Sequence, residues 1–262
     1  MENRGNYKNL FPQPTSHSQL LKNMKTIFIA DAHLKGLNDP NQKTLCSFLE
    51  TLKDIDKLFI LGDLFEFWTG YNQMLEHHYS PILNQFKKLK KSGTEVIYIE
   101  GNHDFFVAPF FKEILGGEVY PDSADINLDG KRFFLAHGDI VEHRIGHKVW
   151  RSFLRSSFLR MLIRITPPSF VWRVAMRLAK TSRSNYSRGI MVDNLQRDFA
   201  KKKIKDGFDF VVLAHSHFPE VLEETTDDKK SIYANPGDWI KEFSYLVYQD
   251  GKIRLERYSS NK

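Results

Sequence analysis

The 262-residue sequence predicts an α/β fold in a single domain, and three observations carry that prediction. Short apolar runs alternate with helix-spaced segments through the first part of the chain, the pattern of parallel strands joined by crossover helices. Beyond it, strand-like runs flank Asp129-Gly130 and Asp250-Gly251, turn pairs that bring in antiparallel strands. The apolar runs also share an ending: T-I-F-I-A-D-A-H, L-F-I-L-G-D, Y-I-E-G-N-H-D, F-F-L-A-H-G-D and V-V-L-A-H-S-H each finish in Asp, Asn or His.

The elements follow in order. Residues 1–23 mix Asn, Pro and Ser without a period and read as a loose leader, so that Met24 could be the true start of a domain over 24–262. Residues 26–30 form a continuous apolar strand of the kind buried on both faces. Helical spacing over 42–53 (Leu45, Phe48, Leu49, Leu52) leads to a strand at 58–61. A helix over 78–91, closed by Ser92-Gly93, precedes a strand at 95–99. A hairpin joins 126–128 to 132–136. Helical spacing covers 149–165, breaks at Pro167-Pro168, resumes over 170–178 and returns at 189–203. Strands close the chain at 221–222, 232–234, 245–248 and 253–258, with a turn at Asp227-Asp228. No internal repeat or low-complexity tract is present.

The strand ends carry the chemistry. Asp31, His33, Asp63, Asn102, His137, His215 and His217 supply carboxylate, amide and imidazole donors without a thiolate, a set suited to Mn²⁺, with Fe²⁺ or Zn²⁺ as alternatives. Seven donors exceed the needs of one tetrahedral ion. Two ions sharing a bridging Asp would use them all, and a pair about 3.5–4 Å apart serves phosphoester hydrolysis. Any one of these histidines alone reads better as a core or surface residue; their joint placement at strand ends favours the metal.

Charge is unevenly placed. The chain is +6 overall, yet residues 144–188 hold eleven basic side chains and no Asp or Glu, so the remainder is net acidic. Arginines interleaved with aromatic and aliphatic residues suit a surface that holds acyl chains against anionic lipid. A nucleic-acid groove would be basic too, but has less use for so many aliphatic residues, which ranks lipid first and makes nucleic acid an unlikely partner. Cys46 is the lone cysteine, which excludes a disulfide framework and favours a reducing compartment. Nothing resembles a signal peptide, and no uncharged apolar run approaches the roughly 18 residues of a spanning helix.

The blocks D-A-H at Asp31–His33, G-D at Gly62-Asp63, G-N-H-D at Gly101–Asp104, H-G-D at His137–Asp139 and A-H-S-H at Ala214–His217 resemble those of the calcineurin-like metallophosphoesterases, from Met24 to about Trp239. The resemblance implies a four-layer β-sandwich flanked by helices (α-β-β-α). It also implies one ion on Asp31, His33, Asp63 and His217 and a second on Asp63, Asn102, His137 and His215, with Asp63 bridging. Within that superfamily, G-D-L-F-E-F-W, G-N-H-D-F-F and the helical insertion before A-H-S-H are similar to the UDP-2,3-diacylglucosamine diphosphatases of lipid A synthesis. Those enzymes release UMP and 2,3-diacylglucosamine 1-phosphate, usually with Mn²⁺, on the cytoplasmic face of the inner membrane. By this likeness the insertion, about 143–188, is a helical lid over the acyl chains. Its T-S-R-S-N-Y-S-R stretch would contact sugar and phosphates through Ser182, Arg183, Asn185, Ser187 and Arg188. The likeness implies a nucleotide-lipid substrate, peripheral membrane association and no obligate protein partner.

Two positions depart from that pattern. His103 stands where the better known members carry Arg, as in the wider superfamily, and Ala214 replaces the usual Gly. Another phosphodiester, in a nuclease or nucleotide phosphodiesterase, therefore stays open as the substrate. The expected chemistry is in-line attack of an activated water on one phosphorus. Asn102 and His103 would stabilise the developing charge, and Asp104 would orient His103 by accepting from its ring. Trp68, Tyr71, Phe105 and Phe106 read equally well as pocket lining or as core. His77 and His78 read as surface residues; His143 and His147, after the H-G-D block, could reach the site but read better as helix-surface residues. Asn235-Pro236-Gly237-Asp238-Trp239 reads as a turn that shapes the rim of the site.

Overall fold

The structure, a computed structural model, describes residues 24–68, 72–141, 156–167, 189–226 and 229–259, together with positions 149, 152, 153, 170, 171, 173, 174 and 177. Tyr71, His143, His147, the 181–188 stretch and the Asp227-Asp228 turn lie outside them. Eleven strands lie in two sheets: β1 (Thr26–Ile29), β2 (Lys57–Ile60), β3 (Glu95–Ile99), β4 (Val119–Tyr120), β5 (Ser123–Leu128), β6 (Lys131–Ala136), β7 (Phe210–Leu213), β8 (Glu220–Thr226), β9 (Lys229–Asn235), β10 (Ser244–Gln249) and β11 (Lys252–Arg257). One sheet runs β11-β10-β1-β2-β3-β4 and the other β5-β6-β7-β9-β8. β1, β2, β3 and β4 are mutually parallel, as the crossover pattern predicts, and so are β6, β7 and β9.

Side-chain alternation builds the layers. On β1, Ile27 and Ile29 face one core while Phe28 and Ala30 face another; β2 and β3 divide the same way. The first core lies beneath α1 (Pro40–Thr51), α2 (Asn72–Lys91) and α3 (Ala108–Leu115), where Tyr79, Ile82, Leu83, Phe86 and Leu89 of α2 repeat at helical spacing. The middle core lies between the sheets, with Phe28, Phe59, Phe133 and Phe210 from both. The third sets Phe134, Ala136, Val211 and Leu213 against Ala200 and Ile204 of a long helix (Gly189–Lys205). Helix, sheet, sheet, helix is the α-β-β-α sandwich.

Helix starts show where sequence signals worked. α1 begins at Pro40, its N-cap Asp39 accepting from the Asn41 N–H, two residues before the apolar period begins. α2 starts at Asn72, well ahead of 78, and carries Pro81 within it. α3 was not anticipated: it is short and rich in aromatics, although Pro109 in its first turn and the left-handed Gly116 at its end are ordinary boundary residues. In the insertion, the predicted 149–165 helix is interrupted at Ser156, whose side chain accepts from the Leu159 N–H and starts α4 (Ser157–Ile165) afresh. The long Gly189–Lys205 helix, α5, leads back into β7. No helix among the described residues is long and apolar enough to cross a membrane.

Candidate metal centre

Because β1, β2 and β3 are parallel, and β6 and β7 likewise, their C-terminal ends deliver Asp31, Asp63, Asn102, His137, His215 and His217 together. The loops lock to one another: the Asp31 and His33 N–H groups donate to the Gly62 and Asp63 carbonyls (3.1 and 2.9 Å). The Ala214 N–H donates to the His137 carbonyl (2.9 Å), and the His215 N–H to Asp31 Oδ2 (2.8 Å). Five of these residues, Asp31, His33, Asp63, His215 and His217, hold positive φ between 45° and 73°. Non-glycine residues enter that region at a cost of about 1–3 kcal/mol each, so the strain is concentrated on the candidate ligands. Gly101 is required by proximity: a Cβ there would lie 2.1 Å from Asp63 Oδ1.

Side-chain donors converge in three groups, within each of which one donor atom per residue lies inside 4.8 Å of the others: Asp31–His33–His217 and Asp63–His137–His215 share no residue, and His33–Asp63–His103 links these two. Asp63 Oδ2 is 3.3 Å from His137 Nε2 and 3.7 Å from His33 Nε2, between the groups. Asn102 Oδ1 lies 3.1 Å from His137 Nε2. His137 Nδ1 donates to the Leu61 carbonyl at 2.8 Å, so Nε2 is the nitrogen aimed at the cluster.

The charges fit a bound cation. Asp31 and Asp63 are buried, and among the described residues their only ion-pair partners are histidines. Asp31 Oδ1 and His33 Nδ1 are buried without a hydrogen-bond partner. Burial raises the Asp31 carboxyl and, with His103 beside it, drives His33 well below the ordinary imidazole range. Burial also opposes charge on His137, yet Asp63, Asp31 and Asp139 lift it well above that range; burial opposes charge on Asp63 too, and His137, His103 and His33 hold it well below the carboxylate range. A proton on His137 thus stands where a divalent cation would offset buried negative charge.

The sequence model of the calcineurin-like phosphoesterases matches residues 24–219. The chain belongs to that family. This phosphoesterase is also 30% identical over 245 residues to the UDP-2,3-diacylglucosamine hydrolase of Aeromonas salmonicida (strain A449), covering 89% of this chain and 93% of that one. The hydrolase of the same name from Aliivibrio fischeri (strain MJ11) is 27% identical over 238 residues, covering 89% and 98%. Among solved structures, an archaeal phosphodiesterase aligns with a TM-score of 0.47 at 16% identity, covering 89% of this chain and 99% of that one. Vps29 from Cryptosporidium parvum aligns at 0.42 and 14%, covering 89% and 96%. Members of the family use divalent metal ions, and the phosphoesterase is a metal-dependent enzyme.

One expected role is overturned. The Asp104 carboxylate does not reach the His103 ring. It accepts from the Asp63, Leu64, Phe65 and Gly101 N–H groups (3.0, 2.7, 3.3 and 3.0 Å) and from the Tyr98 hydroxyl, so both oxygens are committed to tying the Asp63 loop to β3 and the Gly101 turn. Burial and the nearby Asp63 push this carboxyl up to about 7 against those donors. His103 is instead set by the Glu66 carbonyl, 2.9 Å from its Nδ1, while its N–H donates to Asp63 Oδ1 at 2.9 Å. Its ring packs edge-on to His33 with centroids 4.8 Å apart, so His103 lies at the cluster. Trp68 and Phe105 are core side chains, 0% and 1% exposed, whereas Phe106 is half-buried; His77 is exposed and His78 half-buried. Ser182, Arg183, Asn185, Ser187 and Arg188 fall outside the described residues.

Two contributors escaped the sequence reading. Glu100 is buried and accepts from the Val107 N–H at 2.9 Å, holding the Asn102–His103 loop closed. Asp238 lies with Oδ2 3.2 Å from His217 Nδ1, and burial, which would raise it, is outweighed by that contact and by backbone N–H donors, so its carboxyl is lowered. What places it is a pairing across the chain: β9 runs parallel to β7, so Asn235–Trp239 is a further strand end at the same edge.

Proposed function

We infer that this phosphoesterase hydrolyses the pyrophosphate of UDP-2,3-diacylglucosamine, giving UMP and 2,3-diacylglucosamine 1-phosphate. The observation that carries this reading is identity of 27–30% to proteins named UDP-2,3-diacylglucosamine hydrolase along 93–98% of their length.

One divalent ion is assigned to Asp31, His33, Asp63 and His217 and a second to Asp63, Asn102, His137 and His215, Mn²⁺ being the preferred metal for this donor set. The converging groups, with Asp63 Oδ2 between them, support that division. Bound ions of this kind neutralise phosphate oxygens and lower the pKa of water to supply the nucleophile. The chain provides the rest. Asn102 and His103 face the developing charge, and His103, with Nδ1–H held on the Glu66 carbonyl, presents Nε2 to the phosphate or the leaving oxygen.

The insertion is read as the acyl-binding lid and the membrane-facing surface, which places the enzyme peripherally on the cytoplasmic face of the inner membrane. Support comes from exposure: apart from Phe218, every large exposed apolar side chain among the described residues lies between Val149 and Val174, with Phe158 62% and Ile165 73% exposed. Together with eleven basic residues and no acid over 144–188, that is the composition of a surface meeting acyl chains and anionic headgroups.

The deciding assay is Mn²⁺-dependent hydrolysis of UDP-2,3-diacylglucosamine in detergent, beside bis-p-nitrophenyl phosphate and a short nuclease substrate. Release of UMP from the diacylated sugar, far faster than turnover of either other substrate, is expected. Turnover of the generic diester without the lipid would keep the phosphoesterase and overturn its substrate.

A further inference from the structure

At one of the two donor groups, the histidine is backed by a carboxylate. His217 Nδ1 meets Asp238 Oδ2 at 3.2 Å, and on the other side of the ring Nε2 lies 3.4 Å from Asp31 Oδ1. With its Nδ1–H donated to Asp238, the ring turns an unprotonated Nε2 toward Asp31. Behind His137 Nδ1, in the other group, lies the neutral Leu61 carbonyl, and among the described residues no carboxylate takes that place.

Asp238 is itself immobile. Its Oδ1 accepts from the Ile240, Lys241 and Glu242 N–H groups (3.0, 2.8 and 3.0 Å), and the residue is 4% exposed. Gly237 before it sits at φ 74°, where a Cβ would lie 2.2 Å from Ser244 Oγ. The same short segment grips the neighbouring ligands. The Trp239 N–H donates to the Asp31 carbonyl (3.2 Å), and Asn235 Nδ2 donates to Ser216 Oγ (3.1 Å), between His215 and His217. One carboxylate oxygen thus caps a turn and the other aims a ring.

We propose that Asp238 is a positioning residue that orients His217 and raises the metal affinity of the Asp31–His33–His217 group selectively, making the two metal positions unequal. A carboxylate behind a ligating imidazole fixes its tautomer and increases its basicity, and loss of such a partner typically weakens metal binding about 10–100-fold. The inference rests on the two-metal reading above.

Asp238→Asn separates the roles of the two oxygens. The amide oxygen can still cap the Ile240–Glu242 turn, while the amide nitrogen, a donor, opposes the His217 Nδ1–H. The experiment is calorimetric titration of the metal-free full chain with Mn²⁺ for wild type, Asp238→Asn, His217→Ala and the double variant. Wild type is expected to bind two ions. Asp238→Asn should weaken one step about 10–100-fold and leave the other within about twofold; His217→Ala should weaken that same step, and adding Asp238→Asn to it should change nothing further. A wild type that binds fewer than two ions would defeat the two-metal reading. With two ions bound by wild type, the proposal is overturned by unchanged steps in Asp238→Asn, by equal weakening of both, by additive effects in the double variant, or by loss of the folded circular dichroism spectrum in Asp238→Asn.

Discussion

At the strand ends, Asp31 and Asp63 are shut away from water although they are the most polar groups the chain owns; on α4, Phe158, Met161 and Ile165 face water although they are among the least. Both arrangements are unfavourable for the free protein. Buried carboxylates whose ion-pair partners among the described residues are histidines suit a cation, and in the function proposed above an apolar helix face among arginines would meet acyl chains beside anions. On that proposal the tasks are separate: the strand ends would govern the rate of phosphoester cleavage, and the insertion would govern which phosphoester arrives.

The sharpest break of that division is Asp63→Ala. The residue supplies the one oxygen lying between both donor groups, so turnover should fall roughly 10³-fold or more on the lipid and on a generic diester alike, a loss of several kcal/mol of transition-state stabilisation. Retained activity in purified Asp63→Ala of verified metal content would sink the two-metal site. His103→Ala comes next, with turnover down about 10²–10⁴-fold on both substrates while calorimetry still finds two bound ions, because Nδ1 is held by the Glu66 carbonyl and the two proposed ligand sets do not use Nε2. Loss of a bound ion in His103→Ala would instead move it into the coordination sphere.

The insertion should answer differently. Phe158→Ser with Met161→Ser removes two exposed apolar side chains from α4 and is expected to raise KM for UDP-2,3-diacylglucosamine roughly tenfold, the equivalent of partial burial of two such groups. Hydrolysis of bis-p-nitrophenyl phosphate should stay within about twofold. Equal losses on both substrates would mean that the helix supports the strand ends and does not select the lipid.

The same contrast explains what could be read from residues alone. Strand ends were legible because a short apolar run followed by Asp or His has few other uses, and parallel pairing then places those ends at one edge. The expectation for Asp104 fails because adjacency in sequence suggests adjacency of side chains, while the carboxylate turns toward three N–H donors of the Asp63 loop and two donors, Tyr98 and Gly101, from its own strand and loop. Asp238 was read as part of a rim because the parallel pairing of β9 with β7 is a long-range fact with no local signature. α3 spans only eight residues, too few turns for its apolar period to repeat. In the insertion the sequence conveys composition clearly, arginine against apolar residues, but composition assigns no contacts.

The smallest effect concerns pH, and it tests the charge argument without any substrate. Burial and Asp63 raise the Asp104 carboxyl to about 7, so over roughly pH 4 to 7 the metal-free folded protein holds a proton that the unfolded chain has released, and stability falls as pH rises. His137 extends the decline: its pKa is raised, so its contribution is complete below about 6.5 and is lost as pH climbs through the higher folded value. Asp63, held low by His137, His103 and His33 against the pull of burial, acts oppositely, its contribution present above about 4 and lost only in stronger acid. The metal-free protein should therefore be most stable at mildly acidic pH. Metal ligands must be deprotonated, so divalent ions compete with the proton on His137 and stabilise more as pH increases. Melting temperatures in chelator and in Mn²⁺ should diverge between about pH 5 and 8, by on the order of 5 °C for a domain of this size. A gap that stays constant across that range would mean that the buried carboxylates are not what the metal neutralises.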